Sequence, residues 1–152
     1  MQNVSLKQEL LALCIEHVER RINSASAAIQ DAQNAANEET KSSAGDKYET
    51  GRAMMQIEME QSAMQLDDAL RLKRTLNQIN ANEQHNVVSL GSVVITKSFN
   101  AFIAVGPPKL DVGGKVYFIV TPMSPLGKTL AGLEAGAEFI FNNKSNTVLE
   151  IF

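Results

Sequence analysis

The sequence predicts an α+β protein in which a long antiparallel coiled-coil hairpin is followed by a small antiparallel β domain with one short helix. Residues 1–80 contain no proline and two of the nine glycines, whereas residues 81–152 contain all four prolines and the other seven glycines. Apolar residues follow a helical period in the first part, and β-branched and aromatic residues form short clusters in the second. The predicted boundary lies at residue 80, between a helical finger over 1–80 and a β domain over 81–152.

The first helix is predicted from apolar residues that recur every three or four positions. Ser5 and Gln8 have the spacing of a capping box, which marks a helix start. Eight positions then alternate steps of four and three, the heptad pattern of a coiled coil. These positions are Leu11, Ile15, Val18, Ile22, Ala25, Ile29, Ala32 and Ala36. The alanines among them indicate either a close approach of the partner helix near the far end or only the high helix propensity of alanine.

A second helix of similar length is predicted after a turn at 41–45. Its apolar stripe is less regular than that of the first helix. The stripe consists of Met55, Met59, Ala63, Leu66, Leu70 and Leu76. Two helices of about 36 and about 35 residues, each roughly 50 Å long, predict a hairpin because neither can bury its stripe alone. Its tip is expected at residues 41–49.

The β domain is predicted from short segments separated by glycine, proline or asparagine. The six segments are 87–88, 92–96, 99–105, 115–121, 138–141 and 147–152. A helix is predicted over 124–133, because Ser124 can cap it and Pro125 suits its first position. The polar residues 77–86 before the domain are predicted to be a linker or a frayed helix end.

Charge and cysteine content exclude several classes of protein. The formal net charge is -3, so the chain has no global basic excess for non-specific DNA binding. The single cysteine, Cys14, lies among apolar residues and is predicted to be a small buried side chain in a reducing cytosol. The start of the chain does not resemble a signal peptide, and no apolar run approaches the roughly 18 residues needed to span a bilayer. We therefore expect a cytoplasmic protein without membrane contact.

Other sequence motifs for metal, phosphate or nucleophile chemistry are incomplete. His17 and His85 have no histidine or cysteine partner at ligand spacing, which argues against a zinc site. Gly127 begins a Gly-Lys-Thr triplet, but the first glycine of a P-loop is replaced by Pro122. Cys14 falls in the predicted helical region and gives no support for nucleophilic catalysis.

Two carboxylates stand at the predicted tip. Asp46 and Glu49, in the segment GDKYE, are three residues apart and would share one face of a helix. They could form a capping pair that stabilises the helix start by about 1 kcal/mol. They could also supply half of a Mg²⁺ site, since that ion commonly takes one or two protein carboxylates plus phosphates and water. The two interpretations are not exclusive and both stay open.

A second motif, SPLGKTLAGLEAG over residues 124–136, precedes the last two predicted strands. A hairpin with GDKYE at its tip, followed by a β domain carrying this segment, resembles the bacterial GreA/GreB transcription elongation factors. The family tip motif G-D-x-x-E matches Gly45, Asp46 and Glu49, although the following residues differ from the usual N-A-E-Y. The family segment S-P-x-G-x-A-L-x-G-x-x-x-G-D matches Ser124, Pro125, Gly127, Leu130, Gly132 and Gly136, with Thr129 and Ala137 departing from it.

The resemblance implies an FKBP-like β domain that docks at the rim of the RNA polymerase secondary channel while the finger enters the channel. Asp46 and Glu49 would help to hold a second Mg²⁺ in the polymerase active site and to orient the water that cleaves backtracked RNA. The chain would bind no cofactor alone and would not be an enzyme, but would stimulate the cleavage activity of the polymerase. Its partners would be RNA polymerase and the nascent RNA 3′ end, and it would be a monomer.

Further candidate contacts surround these motifs. Lys41, Lys47 and Arg52 could meet RNA phosphates or form a solvated face. Tyr48 could stack on a base or pack on the turn. The candidate residues for docking to the polymerase are Ser124, Pro125 and Gly127.

Three alternative functions stay open at this point. A secondary-channel regulator that does not cleave RNA is compatible with the departures at Thr50 and Gly51. A prolyl isomerase or chaperone would need an aromatic pocket, and the β domain offers four aromatic candidates. These are Phe99, Phe102, Tyr117 and Phe118. A structural coiled-coil dimer would instead pair residues 11–36 between two chains.

Overall fold

The computed structural model describes residues 2–41 and 45–152, with side chains at 2–38 and 49–152. Within this part of the chain, the architecture is the predicted one: a long helical hairpin, a mostly antiparallel six-stranded sheet and one short helix. The elements in chain order are α1 (Gln2–Lys41), α2 (Gly45–Asn77), β1 (Val93–Thr96), β2 (Asn100–Ile103), β3 (Lys109–Val112), β4 (Lys115–Val120), α3 (Pro125–Leu130), β5 (Glu138–Phe141) and β6 (Lys144–Ile151).

Two compact units make up the chain, and their limits differ from the predicted boundary at residue 80. The hairpin unit comprises residues 18–73, and the sheet unit comprises residues 1–17 and 74–152. The start of α1 and the end of α2 therefore belong with the β domain. The reason is burial, since the fully buried residues of the first part of α1 are Lys7, Leu10 and Cys14.

Small side chains fill the interior of the hairpin unit. In α1, Val18, Ala25 and Ala32 are buried at predicted heptad positions, and in the part of α2 within this unit Ala69 is buried. An ion pair of 3.5 Å joins Lys73 to Glu19 across the two helices, with both side chains partly exposed. Such surface pairs contribute little to stability.

The inner face of α2 differs in part from the predicted stripe. Met55, Met59 and Leu66 are half-buried as predicted. Ser62 is half-buried where the sequence suggested Ala63, and Leu70 is 37% exposed. Ser62 keeps the alternation of three and four residues that a heptad requires, whereas Ala63 breaks it. The heptad spacing, rather than the polarity of the side chain, therefore decides which residue of α2 is half-buried at this point.

The helix start predicted at Ser5 is wrong, because α1 begins at Gln2. Ser5 and Gln8 lie inside the helix, so they cannot form a capping box at its start. The Gln8 Nε2 amide donates instead to Asn82 Oδ1 at 3.0 Å. Contacts with the sheet unit support this end of α1, and such packing commonly outweighs local start signals.

The sheet has the strand order β3-β4-β2-β1-β6-β5. Its neighbouring strands are antiparallel, as predicted, except for β2 and β4, which pair in parallel. The parallel pair arises because β3, which the sequence did not predict, forms a hairpin with β4. Gly113 and Gly114 make its two-residue turn with φ of 62° and 78°, as a type I′ turn requires. The predicted segment 87–88 contributes only an isolated bridge between Val87 and Glu134.

The two faces of the sheet are covered by different parts of the sheet unit. The face toward α3 carries a buried cluster formed by Val88, Val94, Ala101, Ile103, Val120, Leu130, Phe139 and Val148. The opposite face meets the start of α1, where Leu6 lines a cavity together with Ile95 and Tyr117. Alternation along each strand thus separates the side chains into two layers.

Candidate functional site

The tip carboxylates lie at the start of α2. This helix begins at Gly45, so Asp46 and Glu49 fall in its first turns at the spacing that puts residues on one side of a helix. Glu49 is exposed. Negative charge in the first turn of a helix is stabilised by the helix dipole, so these positions suit carboxylates whether or not a metal is present.

Several predicted tip contacts fall on side chains outside the described residues. These are Lys41, Asp46, Lys47 and Tyr48. Arg52 is described and is exposed on α2, one turn beyond Glu49. The convergence of Asp46 and Glu49 on a metal, and the contacts of the basic residues with RNA, therefore stay predictions.

The donor set at the tip fits a shared metal ion. Carboxylate oxygens are suitable ligands for Mg²⁺, which usually keeps several waters and takes one or two protein carboxylates. Asp46 and Glu49 would supply these two. Among the described residues, no group of three or more His, Cys, Asp or Glu could hold a metal ion. The remaining ligands for Mg²⁺ at Asp46 and Glu49 would come from another molecule.

The second motif builds the start of α3. Ser124 has extended φ and ψ, and its Oγ accepts a hydrogen bond from the Gly127 N–H at 3.0 Å. The same hydroxyl donates to the Thr121 carbonyl at 2.7 Å. Pro125 occupies the first helical position. The cap predicted at Ser124 is confirmed, although α3 ends at Leu130 rather than Leu133 because Ala131 is no longer helical.

Gly127 is required where it stands. A Cβ at this position would collide with the Thr121 carbonyl oxygen. Later motif residues hold the chain after α3: the Gly132 N–H donates to the Val88 carbonyl at 2.9 Å, and the Gly136 N–H donates to the Val148 carbonyl at 2.7 Å. The positions of serine, proline and glycine in this segment thus have a local structural cause, and its docking to a polymerase stays a prediction.

The four aromatic candidates for a prolyl-isomerase pocket do not converge. Phe99 and Phe118 pack edge to face with ring centroids 6.5 Å apart, on the α3 side of the sheet. Phe102 and Tyr117 are buried on the opposite face, toward α1. Burial also raises the pKa of the Tyr117 hydroxyl. The four aromatic residues proposed for a prolyl-isomerase pocket therefore lie on two opposite faces of the sheet.

A polar cluster that the sequence did not predict lies between α1 and residues 83–89. Lys7 is fully buried and its Nζ donates to the Glu83 carbonyl at 2.6 Å. Burial lowers the pKa of Lys7, and the Glu83 carboxylate opposes that change. His85 Nδ1 lies 2.8 Å from Ser89 Oγ. The cluster fixes the supposed linker to α1, and no local signal could reveal it because Lys7 and Glu83 are 76 residues apart.

Cys14 has no features of a reactive thiol. It is fully buried, as predicted, and burial raises its pKa to about 12. The thiolate is the reactive form of cysteine, and it is not populated near neutral pH with such a pKa. Cys14 is a packing residue of the sheet unit.

Among solved structures, the chain is similar to a transcription factor. The transcription factor Gfh1 is 18% identical in sequence, with 91% of this chain and 93% of that chain covered and a TM-score of 0.37. No family model matches the chain, and no curated protein is similar to it. In the described residues, no helix is both long and apolar enough to cross a membrane.

Proposed function

We propose that the chain is a transcription elongation factor that enters the secondary channel of RNA polymerase and stimulates Mg²⁺-dependent cleavage of backtracked RNA. The observation that carries the proposal is the start of α2 at Gly45, where the hairpin turns back and Asp46 and Glu49 share the first turns. The match of these residues to the GreA/GreB tip motif supports the same function.

The dimensions of the hairpin support this role. α2 has 33 residues and spans about 50 Å at 1.5 Å per residue. The buried positions of the hairpin unit include Ala25, Ala32 and Ala69, and small residues at a helix contact allow a short distance between the axes. A long, thin hairpin is suited to delivering its turn into a narrow channel.

The tip residues would act by adding negative charge beside the polymerase active site. Mg²⁺, when bound there, supplies a Lewis acid and lowers the pKa of a bound water. Asp46 and Glu49 would contribute oxygen ligands and orient a water by accepting its hydrogen bonds, which the corresponding amides cannot do as well. The chain would be a stimulator rather than an enzyme, and would hold no metal tightly alone.

The proposed partners follow from this assignment. RNA polymerase would be contacted by the β domain through Ser124, Pro125 and Gly127. The nascent RNA 3′ end would be contacted by Lys41, Lys47, Arg52 and Tyr48. A hairpin within one chain needs no second copy, so we propose a cytoplasmic monomer.

The experiment that tests this function uses a backtracked elongation complex assembled with RNA polymerase of the same source. Full-length protein is added with Mg²⁺, and the length of 3′-extruded RNA is followed on a sequencing gel. We expect shortening from the 3′ end at a rate that rises with protein concentration and saturates. Failure to bind the polymerase would contradict the proposal.

A non-cleaving regulator of the same channel is the second candidate. Thr50 and Gly51 differ from the usual family continuation after Glu49, and Thr50 is exposed beside that carboxylate. The same assay separates the two candidates. Saturable binding to the polymerase without any RNA shortening would favour the regulator.

A further inference from the structure

A small pocket opens on the α3 side of the sheet, separate from both the tip and the Ser124 motif. Its volume is about 280 Å³, and its apolar wall is formed by three aromatic rings. These are Phe99, Phe139 and Phe141. Phe139 is 7% exposed and belongs to the buried cluster, so it forms the floor. The volume suits one bulky apolar side chain.

The aromatic wall is held in place by edge-to-face packing. Phe99 packs against two rings, with centroids 6.5 Å from Phe118 and 6.3 Å from Phe139. Phe141 is fixed at the end of β5, where Asn142 and Asn143 have φ of 51° and 61° in a two-residue type I′ turn. The pocket therefore needs little rearrangement to receive a ligand.

Apolar surface continues beyond the pocket. Phe118 is 43% exposed and Val116 is 41% exposed, and both point from β4 to the same side of the sheet. Exposed apolar side chains that adjoin a pocket are typical of interaction surfaces. We call Phe99, Phe118, Phe139 and Phe141 the aromatic row.

Lysines flank the aromatic row at both ends. Lys144 lines the pocket and pairs across strands with Phe141, so the two side chains share one side of the sheet. Lys109 is the cross-strand neighbour of Phe118 in the same way. Both lysines are exposed, and neither makes an ion pair among the described side chains. Asp111 is the acidic residue on that side of β3, opposite Val116.

We infer that this pocket binds a peptide segment in which one bulky apolar residue is flanked by acidic residues. The apolar side chain enters between Phe99 and Phe141, and the flanking carboxylates face Lys144 and Lys109. Charge complementarity of this kind selects acidic partners and disfavours basic ones. The site is independent of the proposed action on polymerase, because it uses neither the tip nor the residues assigned to docking.

Single-stranded RNA is the less suitable occupant of the aromatic row. Base stacking needs a free ring face, whereas Phe99 already packs edge to face with both Phe118 and Phe139. Two flanking lysines also provide few phosphate contacts, on which nucleic-acid affinity mainly depends. The pocket shape favours a side chain over a base.

The test begins with selection from an unbiased peptide display library on the full-length chain. We expect enrichment of sequences with Leu, Ile or Phe next to Asp or Glu. The most enriched peptide is then synthesised and titrated into ¹⁵N-labelled protein. Amide shifts should concentrate at residues 98–99 and 139–146, with a dissociation constant of about 10 μM to 1 mM for such a small contact.

Matched variants make the test specific. Lys144→Glu should weaken binding by about tenfold or more, while Lys115→Glu makes the same charge change on the opposite face of the sheet and should alter it by less than about twofold. Both lysines are exposed, so neither variant threatens folding. Absence of enrichment, enrichment of basic peptides, equal binding by the Lys144→Glu variant, or tighter binding of an oligouridine at the same amides would each overturn the inference.

Discussion

The hairpin unit and the sheet unit bury different kinds of side chain. The interior of residues 18–73 consists mainly of Val18 and alanines, whereas the sheet unit fully buries Phe102, Leu76 and Leu130. Burial stabilises by roughly 25 cal/mol per Å² of apolar surface, so each core residue of the sheet unit contributes more. The sheet unit is consequently held by long-range packing, and the hairpin unit depends more on its own helical hydrogen bonds.

The largest effect is expected from a cavity in the sheet unit. Phe102→Ala removes a fully buried ring and should lower the free energy of unfolding by about 3–5 kcal/mol. Phe118→Ala removes the same ring from a site that is 43% exposed and should cost less than half as much. Urea denaturation followed by circular dichroism measures both. Equal losses of unfolding free energy in the two variants would mean that the different burial of Phe102 and Phe118 does not determine their contribution to stability.

A second prediction concerns the tightness of the hairpin seam. Ala25→Leu adds volume at a position that is 4% exposed and should cost about 1–3 kcal/mol. Ala27→Leu makes the same change at an exposed position of α1 and should change stability by less than about 0.5 kcal/mol. Denaturant midpoints of the two variants provide the comparison. If Ala25→Leu is neutral or stabilising, the two helices are not in close contact there.

A third test, with a smaller expected effect, concerns the helix caps. The cap predicted at Ser124 is correct, and the helix start predicted at Ser5 is wrong. Ser124→Ala removes a hydroxyl that accepts from Gly127, and should cost about 1 kcal/mol. Ser5→Ala should not destabilise the protein, because Ser5 lies inside α1 and alanine is the better helix former. Thermal unfolding distinguishes the variants. A larger loss for Ser5→Ala would restore the helix start at that residue.

The smallest expected effect is a change in how the free energy of unfolding depends on pH. Burial and the Lys7 charge lower the pKa of His85 from its ordinary value of 6.5, with the Glu83 carboxylate opposing. The unfolded chain then binds a proton more readily than the folded chain, so stability falls as the pH drops through 6.5 toward the folded pKa. His85→Gln keeps an acceptor for Ser89 and should flatten this slope. Chemical denaturation at several pH values would measure it, and an unchanged slope would contradict the assignment.

Most of the fold could be predicted from the sequence, because the periodic spacing of apolar residues indicates which side chains are buried. The heptad at Val18, Ala25 and Ala32 and the cap at Ser124 were correct, since each depends on residues within one or two turns. β3 was missed because it is a four-residue strand behind two prolines, defined mainly by its hairpin turn. The unit boundary differed because Lys7, Leu10 and Cys14 are buried by residues distant in the chain.

The two candidate sites differ in how far the sequence could predict them. Asp46 and Glu49 could be proposed because a helical spacing and a short motif coincide, and their role stays a prediction. The pocket at Phe99, Phe139 and Phe141 could not be proposed, because those rings are brought together by strand pairing rather than by spacing. Cross-strand neighbours such as Phe141 and Lys144 become visible only when the register is known.

The most direct test of the account is the cleavage rate of an Asp46→Asn, Glu49→Gln variant on a backtracked elongation complex with Mg²⁺. The matched control is Glu58→Gln, Glu60→Gln, which removes two exposed carboxylates from α2 away from the turn. We expect the tip variant to lose cleavage by at least about 100-fold while binding polymerase and unfolding like the wild type, and the control to cleave normally. Unchanged cleavage by the tip variant would contradict the proposed role of the two carboxylates.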